Sequence, residues 1–354
     1  MSFLCCPFTG GPLDVSQVFE EDKDGEILSG ELRSLISGKK YMISGGIPRF
    51  VFDAEYNRTW DYKWTQIDGG KGINYRIVDK TDVAYHMHDI FDRNSHDGKA
   101  YLHAHNGIVL DLGCGVGQYT RRILDEYKPS KVIALDLTGS VDIFRQIMLK
   151  RFSHHKSRIV FVQASVFQMP FRDETFDYVM SLGVLMHTGN TREAIRQAAR
   201  VTKNKGQMNI WIYASEPVPY NAREPERKGI KSPWGYLKVL RQYAFPLFWI
   251  NAFRRMPHQT AVSIVRFFSS DFWYRLNLRP TIGIIPRMVF PTVVDRDFDY
   301  RFINNYDGYI NSWDDSWNEN EIFPVLRESE IVIQNISDWR LGIWGSKEKG
   351  FYCN

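Results

Sequence analysis

Cysteine is scarce in this chain, with four in 354 residues, at positions 5, 6, 114 and 353. Two are neighbours and two stand alone, so their spacing carries no disulfide framework, and a reducing cytoplasm is the expected setting. Charge of one sign is not in excess either: 45 Lys and Arg against 41 Asp and Glu leave a net +4. Nucleic-acid binding usually shows as a dense basic stripe, so no nucleic-acid partner is expected. No apolar run reaches the roughly 20 residues that span a bilayer. The start MSFLCCPFTGG lacks the basic region and apolar core of a secretory signal. The nearest approach to a span is 239–253 (VLRQYAFPLFWINAF), which contains Arg241 and Pro246 and is followed by Arg254 and Arg255. It reads as a kinked, partly buried lid. Peripheral membrane contact through 239–255, with Trp249 and the arginines at headgroup level, is the less favoured alternative.

What is present is ordinary globular composition with one bias. Hydrophobic residues make up 44% and charged residues 24%, while aromatics reach 14% and concentrate outside the central third of the chain. Five regions follow from the patterning. Residues 1–52 hold short Gly-rich, strand-like pieces, and 53–107 are rich in aromatics and His without a clear period. Residues 108–214 alternate β-branched runs with helical stretches, the signature of βαβ units. Residues 215–318 are aromatic and broken by nine prolines, and 319–354 read as a helix followed by two strands. Within 108–214 the expected strands are 107–112, 131–136, 158–163, 176–181 and 207–213, and the expected helices are 118–127, 139–151 and 191–202. The strands are nearly continuous apolar runs, as for strands covered on both faces. Asn204-Lys-Gly206 reads as a turn before the fifth strand. Right-handed crossovers make the sheet a doubly wound, Rossmann-like α/β arrangement.

Chemistry enters at VLDLGCGVGQYT, residues 109–120. A buried strand ends at Asp111-Leu112, glycines fall at 113, 115 and 117, and a helix follows. Glycines at such a turn let the backbone bend sharply and approach a ligand closely. The dinucleotide fingerprint is G-x-G-x-x-G. Here the third glycine comes one residue early, and an acidic residue sits just ahead of the first. A carboxylate at Asp111 repels a pyrophosphate in the same turn and suits a cationic ligand, which argues against a nicotinamide-dependent dehydrogenase. A ligand-free strand-to-helix turn would share the glycines. The strand 131–136, however, ends in Asp136 about twenty positions after the turn, where a carboxylate can accept both hydrogen bonds of a ribose diol.

A third element is FVQASVFQMPF (161–171), followed by RDETFDYVMSLGVLMH (172–187). With it, residues 108–214 resemble the class I S-adenosylmethionine-dependent methyltransferases, and most closely the group with the pattern A-D-x-x-x-L-P-F-x-D-x-x-F-D-x-V-x-S-x-x-V-L-x-H. The resemblance implies a mostly parallel seven-stranded sheet with an antiparallel last strand, and S-adenosyl-L-methionine as cofactor. It places Asp111, Gly113, Cys114, Gly115 and Gly117 around the amino-acid part of that cofactor. Asp136 and Leu137 would hold the ribose and one adenine face, Ser165 and Val166 would lie beside the adenine, and Ser181 and Leu182 would line the pocket floor. The family usually has Asp where this chain has Ser165, so the contact to the adenine amino group loses charge assistance. His187 is the candidate general base, against a structural role at the strand end; methyl transfer often needs little beyond alignment.

Residues 1–52 resemble a small zinc-ribbon-like module that precedes some methyltransferase domains. This chain keeps Cys6-Pro7, Gly11, Leu13, Gly38, Tyr41, Ile43 and Gly46-Ile-Pro48, but the four ligand positions read Cys6, Thr9, Ser34 and Ser37. Neutral hydroxyls are poor zinc ligands, so the expectation is a degenerate β module without a metal. Tyr62, Trp64 and Gln66 are modest candidates for lining the site. The insertion 215–318 reads as a helical, aromatic substrate cap, its clusters 295–299 and 306–309 mixing acids and rings in a manner that suits sugars. The expected activity is methyl transfer to an oxygen or nitrogen of a small molecule, sugar or glycan or natural-product precursor. The alternative is a catalytically weak S-adenosylmethionine-binding regulatory protein.

Overall fold

The computed structural model describes residues 3–51, 62, 106–214, 245–279, 289–290, 296–310, 315–336 and 341–353. The chain divides into two compact units. One comprises residues 1–64, 78–218 and 314–354, the other 65–77 with 219–313.

The first unit is organised by one sheet. Its strands are β1 (Leu13–Glu21), β2 (Ile27–Ser34), β3 (Lys40–Ser44), β4 (Ile47–Phe50), β5 (Ile108–Leu112), β6 (Lys131–Asp136), β7 (Ile159–Ala164), β8 (Phe176–Leu182), β9 (Thr202–Trp211), β12 (Ile331–Ile336) and β13 (Gly342–Lys347); a separate two-residue pair is β10 (Tyr213–Ala214) with β11 (Ser316–Trp317). The order across the sheet is β1-β2-β3-β4-β7-β6-β5-β8-β9-β13-β12. From β7 to β9 every pairing is parallel, and β13 enters antiparallel between β9 and β12. This is the doubly wound Rossmann-like arrangement expected from 108–214, with the reversed last strand.

Both faces of the central strands are covered, which is why they carry Val, Ile and Leu almost without a break. Along β6, Val132 and Ala134 join one buried cluster with Phe144 and Ile123, while Ile133 and Leu135 join another with Ile195 and Leu326. That two-residue alternation is the pleat of the strand. The helices begin with α1 (Gln118–Arg122), which runs directly into a π turn, Ile123–Tyr127, and stops at Lys128 in the left-handed region. Next come α2 (Ser140–Arg151) and α3 (Thr191–Val201), the latter capped by the Asn190 side chain on Glu193 N–H. In the second unit lie α4 (Phe245–Phe253), α5 (His258–Phe268), α6 (Asp271–Asn277) and α7 (Phe298–Ile310); α8 (Glu319–Glu328), opened by an Asn318/Glu321 capping box, returns to the first unit.

The sheet has eleven strands rather than seven. β4 pairs in parallel with β7 through Arg49↔Gln163 and Phe50↔Ala164, so β1–β4 extend the main sheet from its β7 edge. Cys6, Leu32, Tyr41, Ile43 and Phe50 share a buried cluster with Val162 and Val179. Among the four positions read as former zinc ligands, the Cys6 sulfur lies 3.9 Å from Ser37 Oγ, and it is 3.1 Å from Tyr41 Oη. Burial pushes the Cys6 thiol up, and hydrogen bonds from Thr9, Tyr41, the Phe8 backbone and Ser34 outweigh it, bringing it down to about 6.

Two further expectations change. Asn204-Lys-Gly206 does not end an element. It is an outward bulge inside β9, with Lys205 at φ +64°, where the register with β8 jumps from Phe176↔Thr202 to Tyr178↔Gln207. In 239–253, Pro246 stands in the first turn of α4, where a missing N–H costs nothing, rather than at a kink; residues 239–244 lie outside the described residues. Among the described residues no helix is long and apolar enough to cross a membrane.

The second unit is held together by rings. Phe268 and Phe290 stack at 4.2 Å, and Trp249, Phe253 and Tyr309 surround Phe290. Tyr306 and Tyr309, read as sugar-stacking candidates, are buried, and Tyr306 Oη is 2.9 Å from His258 Nε2. These two rings are core of the unit, because a helix presents residues three apart on one face.

Candidate cofactor site

The glycine turn sits at the C-terminal ends of β5 and β6, where ligands of open α/β sheets bind. Gly113 and Gly117 adopt φ +88° and +83°. A Cβ on Gly113 would fall 2.4 Å from the Val184 methyls, and one on Gly117 would fall 1.9 Å from Phe144 Cε2. Both glycines are therefore required twice, for backbone conformation and for space. Gly115 is also left-handed, at φ +51°.

Asp136 joins the turn to the tip of β6. Its Oδ2 accepts from Gly115 N–H at 2.9 Å, while Oδ1 accepts from Thr138 N–H at 2.9 Å and from Thr138 Oγ1 at 2.8 Å. Thr138 Oγ1 and Ser140 Oγ are 2.8 Å apart, which continues the chain of hydroxyls into the start of α2. The carboxylate thus binds the glycine turn while remaining half-buried at the strand end.

The other candidates fall into three settings. Asp111 is buried, and its carboxylate accepts from Thr120 Oγ1, which ties the end of β5 to α1 from inside the turn. Cys114 is buried and its thiol lies 3.7 Å from the Gly115 carbonyl; burial pushes that thiol well up, so it stays protonated. Leu137 follows Asp136, and its carbonyl accepts from Gln163 Nε2 at 3.1 Å. Ser165 ends the β7 connection, and its Oγ accepts from Phe167 N–H at 3.2 Å, capping a short 3-10 turn that contains the buried Val166. Ser181 is fully buried and donates to the Leu112 carbonyl at 2.7 Å, so its hydroxyl links β8 to β5. Leu182 is buried beside it. His187 closes a 3-10 turn after β8, buried edge-on against Tyr213 at 5.3 Å between ring centroids. Tyr62 is half-buried, and Trp64 and Gln66 lie outside the described residues.

The sequence reading missed the supports: Gln163 under Leu137, and Thr138 with Ser140 beside Asp136. A polar residue inside an otherwise apolar strand, as in IVFVQA, is the signal that could have found Gln163.

Asp111 has a measurable consequence. Burial pushes its carboxyl up to about 7; the Thr120 hydrogen bond pulls the other way and the charge of Asp136 adds to the rise. The unfolded chain loses this proton near 3.8. Between about pH 4 and 7 the folded form therefore holds the extra proton, and stability falls as pH rises through that window. The fall amounts to roughly 2–3 kcal/mol from pH 5 to pH 8. Asp111→Asn is expected to remove that slope in denaturant unfolding at the two pH values. An identical slope in both proteins would place the titration elsewhere.

Residues 110–210 match the family model described as a methyltransferase domain. The chain is 32% identical over 123 residues to an uncharacterised protein of Methanocaldococcus jannaschii, covering 35% of this chain and 48% of that relative. It is 31% identical over 121 residues to erythromycin 3''-O-methyltransferase of Saccharopolyspora erythraea, covering 34% of this chain and 38% of the relative. It is 28% identical over 212 residues to tRNA U34 carboxymethyltransferase of Aliarcobacter butzleri, covering 60% of this chain and 57% of the relative. The chain thus spans between about two fifths and three fifths of the length of these relatives. The matched span 110–210 contains the glycine turn, Asp136 and His187, while β1–β4 and the second unit lie outside it.

Proposed function

We propose that the protein is an enzyme that binds S-adenosylmethionine and moves its methyl group to an oxygen or nitrogen of a small molecule, sugar or glycan precursor. One observation carries the cofactor: Asp136, at the tip of the second strand of a methyltransferase domain, grips the glycine turn through Gly115. The turn is set for close backbone approach: Gly113, Gly115 and Gly117 are all left-handed, and Asp136 holds a free carboxylate lone pair beside it after accepting from Gly115 and Thr138.

Asp136 and Leu137 would hold the ribose and one face of the adenine, and Ser165 would offer the adenine its hydroxyl proton and remaining lone pair while still capping Phe167. Gly113, Cys114, Gly115 and Gly117 would frame the amino-acid part. Asp111, buried behind the turn, would act through the field of its carboxylate on a cationic ligand rather than through a direct hydrogen bond. When bound, the cofactor supplies a methyl group already activated on a sulfonium. The protein then has to align the acceptor, exclude water and hold an acceptor proton, and His187 is the candidate for that last task.

The acceptor class rests on chemistry and on one relative. The near-neutral charge gives no basic stripe for a polyanion, and a relative is named for O-methylation of erythromycin. A tRNA-named relative stands on the other side, so the test includes RNA. Purified protein is expected to release S-adenosylhomocysteine from S-adenosylmethionine when presented with hydroxylated or aminated small molecules and sugars. Release with RNA and not with these would replace the acceptor. Tight cofactor binding without turnover across the panel would favour the regulatory alternative.

A further inference from the structure

The N-terminal strands do more than extend a sheet. In register, Asp136, Gln163 and Arg49 lie on one line across β6, β7 and β4. Arg49 Nη1 donates to Gln163 Oε1 at 2.7 Å. A guanidinium can only donate, so the amide must turn its carbonyl to Arg49 and its NH2 group the other way. That NH2 group donates to the Leu137 carbonyl at 3.1 Å. Arg49 also forks onto Asp142 in the first turn of α2, at 2.6 and 2.9 Å. The turn 137–139 between Asp136 and α2 is therefore held at both ends by one arginine. Gln163 fixes its entry and Asp142 fixes its exit.

We propose that Arg49 is a positioning residue for the cofactor, setting the Asp136–Leu137 segment through Gln163 and Asp142. This rests on the proposed reading of that segment as the ribose and adenine holder. On this reading neither Arg49 nor Gln163 needs to touch the ligand, since their bonds go to Asp142 and the Leu137 carbonyl. Their effect is to keep the Leu137 carbonyl and the start of α2 from drifting while Asp136 divides its lone pairs between Gly115, Thr138 and the ribose. β1–β4 thereby become part of the cofactor site, although the methyltransferase domain begins at residue 110.

Other contacts between these strands and the core supply the control. Lys156 pairs with Asp22, Asp24 and Glu26 at 2.7 to 3.2 Å and reaches neither Gln163 nor the turn.

The experiment is calorimetric titration of the full chain with S-adenosylhomocysteine, with a melting temperature for every variant. Gln163→Glu keeps the acceptor for Arg49 and removes the donor to Leu137. It is expected to raise Kd about tenfold, the worth of one buried hydrogen bond, with a melting temperature no lower than wild type. Arg49→Met is expected to raise Kd at least as much, Arg49→Lys to recover part of the loss, and Lys156→Met to stay within twofold of wild type. Wild-type affinity in Gln163→Glu and Arg49→Met overturns the proposal. So does a Lys156→Met effect equal to that of Arg49→Met, which would mean general docking of the strands. If folded wild-type protein binds no S-adenosylhomocysteine at millimolar concentration, the reading of the site itself fails, and that outcome is distinct from the other two.

Discussion

Gly117→Ala is expected to lower stability by about 3 kcal/mol, the sum of an overpacked core and a strained backbone. The new methyl would lie 1.9, 2.1 and 2.3 Å from three ring carbons of Phe144. That ring has no room to retreat: it is fully buried and meets Phe161 edge-on at 5.2 Å. The backbone at φ +83° adds a penalty of its own. For a unit of this size the expected fall in Tm is roughly 10 °C. Gly25 separates the two contributions, since it has φ +78° with nothing within 4 Å of its would-be Cβ. Gly25→Ala should lose only the backbone part, about 1 kcal/mol. Equal melting temperatures for the two variants would mean that Phe144 does not confine the turn. Both variants can be read by thermal melts monitored through tryptophan fluorescence.

Gly117 also shows where sequence reading succeeds. Local rules cover the turn: a buried strand, a backbone forced past φ 0, and a helix start lie within twelve residues, so 109–120 is legible from its own letters. Asp136 is legible for a similar reason, since a strand period and a strand end place it. The β4–β7 pairing is not, because Arg49 and Gln163 are 114 residues apart and two-residue parallel contacts leave no pattern in either strand. Without that pairing, residues 1–52 look like a free module and the sheet looks seven-stranded. The bulge at 203–206 misleads in the opposite direction: Asn-Lys-Gly satisfies turn chemistry, but β8 pairs with β9 on both sides of it. Tyr306 and Tyr309 mislead because a ring beside an acid reads alike in a solvated loop and on a helix, and only packing reveals which. Ser181 is the subtler case. Its position was visible, but its hydroxyl serves the Leu112 carbonyl, a partner 69 residues away.

Under the proposed assignment, Asp136→Ala is expected to weaken S-adenosylhomocysteine binding by about 1–3 kcal/mol, roughly 5- to 150-fold in Kd. Two losses combine. The ribose hydroxyls lose a charged acceptor, and the Gly115 and Thr138 N–H groups lose the carboxylate that sets their spacing. Asp136→Asn separates them, because an amide oxygen can still accept from one of the two N–H groups while its NH2 faces the other donor. If the carboxylate holds the ribose, Asn should recover part of the melting temperature and little of the affinity. If Asp136 serves only to brace the turn, affinity and melting temperature should fall and recover together across Ala and Asn. An Asp136→Ala protein that melts lower but binds S-adenosylhomocysteine as tightly as wild type would remove Asp136 from the cofactor site and leave it as the brace between β6 and the glycine turn.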